Sequence, residues 1–507
     1  MLTSFYDVVI LGTHLEPLLC AGLLAREGLR VLVLGQGVPD PSYTLAGTEV
    51  EPNHLIVTGA QSPIVQSTLD ALALRQDVRQ RIVDRANIFQ LLLPDHRIDV
   101  HPEVDKWLSE LDRELPQVRR QAADITRTLS EVRVELDALV AHDLIWPPET
   151  FLERQRFSLT STARRFDRQG QGWTSWNQLP RNHPLRTAFE AILPQVSGLL
   201  PAQHSDLSRA RLHGHVLGGV TELTGGWPWF REALFARIRS WGSDVRARDR
   251  AESIDHEGRR RHTIRLARTG EEIGCSQLVH GTPISDLSQL LPERAPVSAI
   301  FERVGEPRPR AYRCSVHVLI ARSGVPSALE PLALLCSSVT NPDKAFMLRR
   351  RDVGDDRVLL TASRLVEEHL IDTASSPLRF VRQDALDAIR TVVPFFDDHV
   401  IWIDSPHDGL PPRAVDGATA LPCSDPWTRG PHTMNAVYDY PTRRALGVCA
   451  LPTRTPVRGL FLCNAQVAPG LGFEGAFLTA TSVARIIGSQ YRRQDWLRRG
   501  PWASRRV

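Results

Sequence analysis

The stretch YDVVILGTHLEP at residues 6–17, followed by VLVL at 31–34, decides the fold. YDVVIL is a nearly continuous apolar run, as a strand buried on both faces requires. Gly12 breaks it. Leu15, Leu18, Leu19, Leu23 and Leu24 then recur at helical spacing, and Gly28 ends that pattern. The second apolar run gives a second buried strand. A strand, a turn, a helix and a parallel strand within about 30 residues open a Rossmann-type α/β domain.

A dinucleotide site at the first turn needs Gly-x-Gly-x-x-Gly, for the turn, for close approach of the pyrophosphate and for helix packing. It also needs an acid ending the second strand to hold the ribose. This chain keeps the first glycine, Gly12, and has His14 and Pro17 where the others belong. Ala21 and Gly28 keep the downstream spacing, but Gly35 stands where the ribose acid is expected. A side chain at position 14 pushes toward the pyrophosphate space, and Pro17 removes one helix-terminal N–H. The scaffold is therefore written more clearly than its ligand.

Working outward, 507 residues with 42% hydrophobic and 23% charged side chains exclude a disordered chain and allow a large core. A net charge of +3 gives no nucleic-acid footprint. Lys106 and Lys344 are the only lysines, so a catalytic amine has two candidates. The seven cysteines are scattered and form no CxxC pair, which disfavours zinc and a disulfide framework. No apolar stretch approaches the roughly 20 residues of a membrane span. With the first strand starting at once, no signal peptide is expected, and the expected location is cytoplasmic.

Further along, residues 103–143 read as amphipathic helices interrupted by Pro116, and 147–203 as irregular structure with short helices. Gly225-Gly226 precedes a helix over 229–241. A strand near 244–248, a hairpin near 256–262 and a buried strand over 277–280 follow. Strands such as 315–320 and 358–361 alternate with a helix near 377–392. GLFLC at 459–463 is a last strand, and a helix starts near Gly475.

Taken together, these anchors resemble the phytoene desaturase and amine oxidase group of two-domain flavoproteins. They are 6–34, the helices of 103–140, GGWPWF at 225–230 leading to DVR at 244–246, QLVHGTP at 277–283, and GLFLCNA then PGLGFEGA at 459–476. The resemblance is collinear and spans nearly the whole chain. Departures from it are specific. The loop 36–47 (QGVPDPSYTLAG) lacks the Gly-Gly-Arg that grips the cofactor in that group. Asn464 stands where the group shows Gly, and Glu474 where desaturases show Pro, although amine oxidases carry Glu-Gly-Ala there.

The resemblance implies a Rossmann-like FAD/NAD(P)-binding domain with a discontinuous α+β substrate domain inserted. The dinucleotide domain is expected from 1–85, 216–293 and 455–490, the substrate domain from 86–215 and 294–454, with a basic aromatic tail at 491–507. It further implies FAD, turned at Gly12, Thr13 and His14 and framed by Asn464, Gly470, Gly472, Glu474 and Gly475. The activity implied is hydride abstraction from a lipophilic, isoprenoid-like substrate or from an amine. The second reading is a catalytically silent chain that has lost FAD and binds a hydrophobic ligand or a protein partner, as the GDP-dissociation inhibitors do on this fold. Neither reading names a general acid or base, sets an oligomeric state or involves nucleic acid.

Other residues weigh as follows. His213-Gly214-His215 reads as half a metal site on a strand face or, preferably, as a structural pair near a loop. The tail 491–502 mixes Arg and Trp. This suits peripheral contact with an anionic membrane, or, more simply, a solvated helix end. The runs 259–261 and 349–351 of Arg read as solvated, with the second able to line a substrate mouth. Lys344 lies in a turn-like Asn-Pro-Asp-Lys setting and is left unassigned. Trp227 and Trp229 are core aromatics or cavity walls.

Overall fold

The computed structural model describes residues 4–83, 87–160, 176, 178–257, 261–292, 299, 301–302, 305–338, 344–371, 378–414, 421–423, 429–430, 433–442 and 444–499, with side chains of the last helix described to Tyr491. β1 (Ser4–Leu11), α1 (Leu15–Arg26) and β2 (Val31–Leu34) form as their apolar spacing predicts. A hairpin of β3 (Tyr43–Leu45) and β4 (Thr48–Val50), the short β5 (Val57–Thr58) and helix α2 (Pro63–Ala71) come next. β6 (Phe89–Leu92) and β7 (Arg97–Val100) precede α3 (Val104–Glu114) and α4 (Arg119–Val140). Pro116 opens a 3-10 turn between those two helices, because it cannot donate into a helix interior.

The middle of the chain holds α5 (Pro184–Val196), α6 (Asp206–Leu217), β8 (Val220–Thr221), α7 (Gly226–Ser240) and β9 (Asp244–Arg246). β10 (Ala251–Glu257), β11 (Arg261–Leu266), β12 (Glu272–His280) and α8 (Ile284–Leu290) complete it. Then come β13 (Arg308–Ala321), β14 (Leu332–Leu335), β15 (Phe346–Val353), β16 (Arg357–Glu367), α9 (Leu378–Val392), β17 (Val400–Asp404), β18 (Arg413–Ala414) and β19 (Asn435–Asp439). β20 (Leu460–Leu462) and α10 (Gly472–Arg499) end the described chain.

Two sheets organise these elements. The first has the order β10-β11-β12-β1-β2-β9, with β20 also beside β12. Its pairs β12–β1, β1–β2, β2–β9 and β12–β20 are parallel, so strands from both ends of the chain flank β12. Both faces are covered, which is why its strands read as continuous apolar runs. Leu18, Leu24, Phe235 and Phe477 fill one side. Ile254, Ile264 and Leu287 fill the other.

The second sheet has the order β18-β17-β13-β16-β15-β14-β6-β7, with β19 also on β13. Its faces differ, since successive side chains of a strand point opposite ways. Val316, Val318 and Ile320 pack with Ala362 and with Ala385 and Ile389 of α9. The alternate positions Arg313, Ser315 and His317 form a polar face with Ser363, Thr361 and Asp404 across the ladder. The β3–β4 hairpin covers part of that face. Tyr43 donates its hydroxyl to Asp404 at 2.6 Å and lies edge-on to His317.

His213-Gly214-His215 lies in neither a strand nor a loop. It is inside α6, with both imidazoles buried. Gly214 serves close helix packing, because a Cβ there would sit 3.1 Å from the Leu129 carbonyl of α4.

Candidate functional site

The β1–α1 turn starts at Gly12, whose φ of 102° suits glycine alone. Its N–H donates to the Leu34 carbonyl at 2.8 Å, and a Cβ would lie 3.1 Å from the Thr282 methyl. Thr13 is buried with its hydroxyl unpaired. His14 is the N-cap of α1 in extended conformation and makes no side-chain cap. The first bond into the helix runs from Leu18 N–H to the His14 carbonyl at 3.3 Å. Among the described residues the N–H groups of Thr13, His14 and Leu15 find no acceptor. The turn therefore offers main-chain donors at the positive end of a helix dipole.

A cation arrives here from elsewhere in the chain. Arg231 of α7 is buried, donates to Asp40 at 3.1 Å and keeps an unpaired Nε. Asp40 belongs to the loop that lacks the expected arginine, so α7 brings an arginine against that loop from elsewhere in the chain. Burial pushes the His14 pKa below its usual value, Asp286 opposes that shift and the Arg231 charge adds to it. The sequence carried a signal for Arg231: it sits at i, i+3 and i+4 with Leu234 and Phe235 on a buried helix face.

Two features of the turn oppose an anion. Glu16 is buried in the first turn of α1, and burial raises its pKa to about 7. Pro17 wedges α1 against the end of β12, because a Cβ on Gly281 would come within 2.6 Å of its ring.

The end of β2 is closed by main chain. A Cβ at Gly35 would fall 1.7 Å from the Ala247 carbonyl oxygen. Gly35 and Gln36 donate to the Arg246 and Asp249 carbonyls, both at 3.1 Å, and the Gln36 amide bonds both main-chain groups of Ala251. An acid cannot replace Gly35 without moving this loop.

At the C-terminal motif the side chains and glycines are taken up by packing. Asn464 donates to the Thr282 carbonyl at 2.6 Å, beside the methyl that covers Gly12. Cβ atoms on Gly470, Gly472 and Gly475 would lie 2.9, 1.9 and 2.2 Å from the carbonyls of Val448, Val196 and Ala468. Glu474 is fully buried. It accepts from Arg211 Nε at 2.9 Å and Nη2 at 2.5 Å, from His215 at 3.1 Å when that nitrogen is protonated, and from the Ser62 hydroxyl. Arg211 also reaches Asp137 at 2.6 Å. Burial pushes the Glu474 carboxyl up, but the Arg211 and His215 charges overcome this and hold it well below the usual carboxylate range. The structure thus joins Gly12 and Asn464 through Thr282, turns Gly470, Gly472 and Glu474 toward α5 and α6, and presses Gly475 onto Ala468 of its own turn.

Measured against a flavin dinucleotide, the site fits in part. The Thr13 hydroxyl, the Arg231 Nε and the open N–H groups match a diphosphate, which needs such donors. The β2 end has no acid for a ribose.

The other singled-out residues resolve as follows. His213 is packed between the rings of Trp176 and Phe189, at 5.8 and 4.7 Å. No metal-binding group of His, Cys, Asp or Glu occurs among the described residues. Arg349, expected to be solvated, is buried, because Glu222 at 2.5 Å and Glu51 at 3.5 Å neutralise it. Lys344 is exposed. Arg259 and Arg260 lie outside the described residues, as do the tail side chains beyond Tyr491. Trp227 and Trp229 pack against the first-sheet core, and the Arg81 guanidinium lies 4.5 Å over Trp229. Their neighbour Phe230 lines a cavity of about 320 Å³ with Val57, Leu69, Phe473 and the exposed Arg79. The described cysteines are free. No described helix is long and apolar enough to cross a membrane.

No family model and no curated protein matches the chain. Solved structures do. A putrescine oxidase aligns with a TM-score of 0.57 at 14% identity, covering 97% of this chain and 99% of that one. An oxidoreductase from Methanosarcina mazei aligns at 0.59 and 14% identity over 94% and 99%. A cyclohexylamine oxidase from Brevibacterium oxydans aligns at 0.55 and 12% identity over 96% and 100%. The chain therefore has the mixed α/β, two-domain fold of these oxidases, with a Rossmann-like domain and a second sheet domain.

Proposed function

We propose that the chain is a flavin-dependent oxidoreductase that grips FAD by its diphosphate rather than by its ribose. One observation carries this reading: the β1–α1 turn gathers donors without acceptors, the Thr13 hydroxyl, the Arg231 Nε and the N–H groups of residues 13–15. Bound FAD would supply the hydride acceptor. The likeness to a putrescine oxidase and a cyclohexylamine oxidase suggests an amine substrate. The isoprenoid-like alternative would use the cavity beside Phe473, where Val57, Leu69 and Phe230 line one part and Gln61, Gln66 and Arg79 another.

The end of β2 favours the second reading, a chain without flavin, since Gly35 leaves the ribose unheld. Absorbance of the purified protein separates the two. A flavin band that stays with the protein after free FAD is removed by gel filtration, whether present on isolation or after incubation with FAD, is expected, and Arg231→Gln should weaken FAD by about tenfold or more. Protein that stays colourless with FAD overturns the flavin reading.

A further inference from the structure

The polar face of the second sheet holds four arginines, and one of them lacks a counter-ion. Arg429 forks onto Asp404 at 2.7 and 2.8 Å. Arg349 is matched by Glu222 and Glu51. Arg351 donates to the Glu49 carbonyl, beside the Glu51 and Glu49 charges. Arg313 is different. Its bonds go to neutral acceptors, Nη1 to Gln195 Oε1 at 2.7 Å and Nη2 to the Pro194 carbonyl at 2.5 Å. Among the described residues no carboxylate forms an ion pair with it.

Burial alone pulls the Arg313 pKa down to about 10. Yet the side chain keeps partial exposure, and its bonds to Gln195 and Pro194 leave further guanidinium N–H donors. A desolvated cation without a charged partner is unfavourable, so a ligand that supplies one is favoured. The Pro194 carbonyl at the end of α5 brings only the partial negative charge of a helix C-terminus.

His54 adds a second unpartnered polar group, able to donate from Nε2 in the tautomer that protonates it. It is partly exposed, as are Asn53, Leu55 and Ile56 around it, and its Nε2 is unpaired. Burial, then the charges of Arg349, Arg313 and His317, push its pKa well below the usual histidine value. The location is also informative. Pro194 and Gln195 hold Arg313, while the next residue, Val196, presses its carbonyl onto Gly472. One short length of backbone thus separates the unpaired cation from the glycine turn that resembles a flavin motif.

We propose that Arg313 and His54 form an oxyanion-binding subsite for the substrate, taking a carboxylate or a phosphate group. Calling the ligand a substrate rests on the oxidoreductase reading; the subsite itself does not. A planar or tetrahedral oxyanion accepts from a guanidinium in paired bonds and supplies the missing negative charge. A bare ammonium would meet the unmatched Arg313 charge and be repelled. If the substrate is an amine, it is one that also carries an acid.

The test uses the full chain with three probes, benzoate, inorganic phosphate and benzylammonium, followed by calorimetry and by melting. Arg313→Gln removes the charge but keeps donors for Pro194 and Gln195, so a purely structural cap would survive it. The proposal expects at least one oxyanion to bind the wild type and to bind Arg313→Gln at least tenfold more weakly, with Arg313→Lys intermediate and benzylammonium inert. Preference for benzoate assigns a carboxylate, and preference for phosphate a phosphate group. Oxyanion affinity unchanged in Arg313→Gln, or benzylammonium binding as well as benzoate, overturns the subsite. If Arg313→Gln does not fold, His54→Ala decides: a several-fold loss supports the subsite and an unchanged affinity overturns it. Flavin content is read separately by absorbance. Colourless protein that binds an oxyanion through Arg313 keeps the subsite and removes the oxidoreductase reading, whereas flavin-loaded protein that ignores both oxyanions does the reverse.

Discussion

The two glycine turns of the first sheet have exchanged the roles their sequences suggest. The β1–α1 turn has lost two of three fingerprint glycines, yet its main-chain donors stand open and two buried polar atoms beside it lack partners. The β20–α10 turn keeps Gly470, Gly472 and Gly475, yet each is pressed against a carbonyl and Glu474 is fully bonded. Anion capture at a helix start uses N–H groups, which His14 and Leu15 carry as well as glycine does; only Pro17 lacks one. A glycine whose added Cβ would fall 1.9 Å from a carbonyl is required by packing, whatever ligand is bound. A retained glycine motif therefore reports on backbone crowding before it reports on a cofactor.

The closed turn is the place to expect the largest effect. Arg211→Leu leaves Glu474 buried and without its strongest partner, which costs about 3–5 kcal/mol. Urea unfolding at pH 7 measures it, and a loss below about 1 kcal/mol would show that the ion network does not lock this turn. The pH dependence has a definite sign. A carboxyl held below its ordinary value of 4.5 stabilises the fold above that pH, and the contribution is lost as the pH falls toward the depressed value. Acidification below about 4.5 should therefore weaken the wild type more steeply than Arg211→Leu.

The same contrast explains what could be read from the sequence. The β1–α1–β2 unit, the helix break at Pro116 and the GLFLC strand were legible because apolar runs and prolines act locally. That Arg231 reaches the loop without an arginine is not legible in the sequence, because its meeting with Asp40 spans 191 residues. Arg349 looked solvated because Glu51 and Glu222, which make its burial tolerable, lie far back in the chain. His213 and His215 were placed near a strand or loop because Gly214 reads as a breaker, whereas packing of α6 on α4 makes that glycine useful inside a helix. The strand at 315–320 is legible in the sequence, whereas its extension back through Arg313 is not. That its polar side faces inward depends on α9 covering the other side.

At the open turn Glu16 sharpens the comparison. Its pKa is raised from 4.5 to about 7, so the folded state prefers the neutral acid. For such a group the penalty is absent below pH 4.5, grows as the pH rises and is complete above about 7. Glu16→Gln should therefore stabilise the protein by roughly 3 kcal/mol at pH 8 and hardly at all at pH 4.5. It should also tighten FAD, by removing a negative charge from the diphosphate turn. Equal gains at both pH values would mean that Glu16 is not titrating inside the helix start.

The smallest effect separates the turns most cleanly, because it compares like with like. Thr13 and Thr479 both bury an unpaired hydroxyl, the first at the open turn and the second on α10 beyond the closed one. Replacing either by valine removes an unsatisfied polar atom at nearly constant shape, so each variant should gain about 1 kcal/mol of stability without ligand. Only Thr13→Val should then lose FAD affinity, by several-fold, since only that hydroxyl faces a turn with free donors. Parallel melting curves and FAD titrations of the two variants measure both quantities. If Thr13→Val gains stability and keeps its affinity, the hydroxyl is a packing defect and the open turn is not the grip. If Thr479→Val loses affinity as well, the C-terminal helix takes part in binding in spite of its closed glycines, and the contrast between the two turns fails.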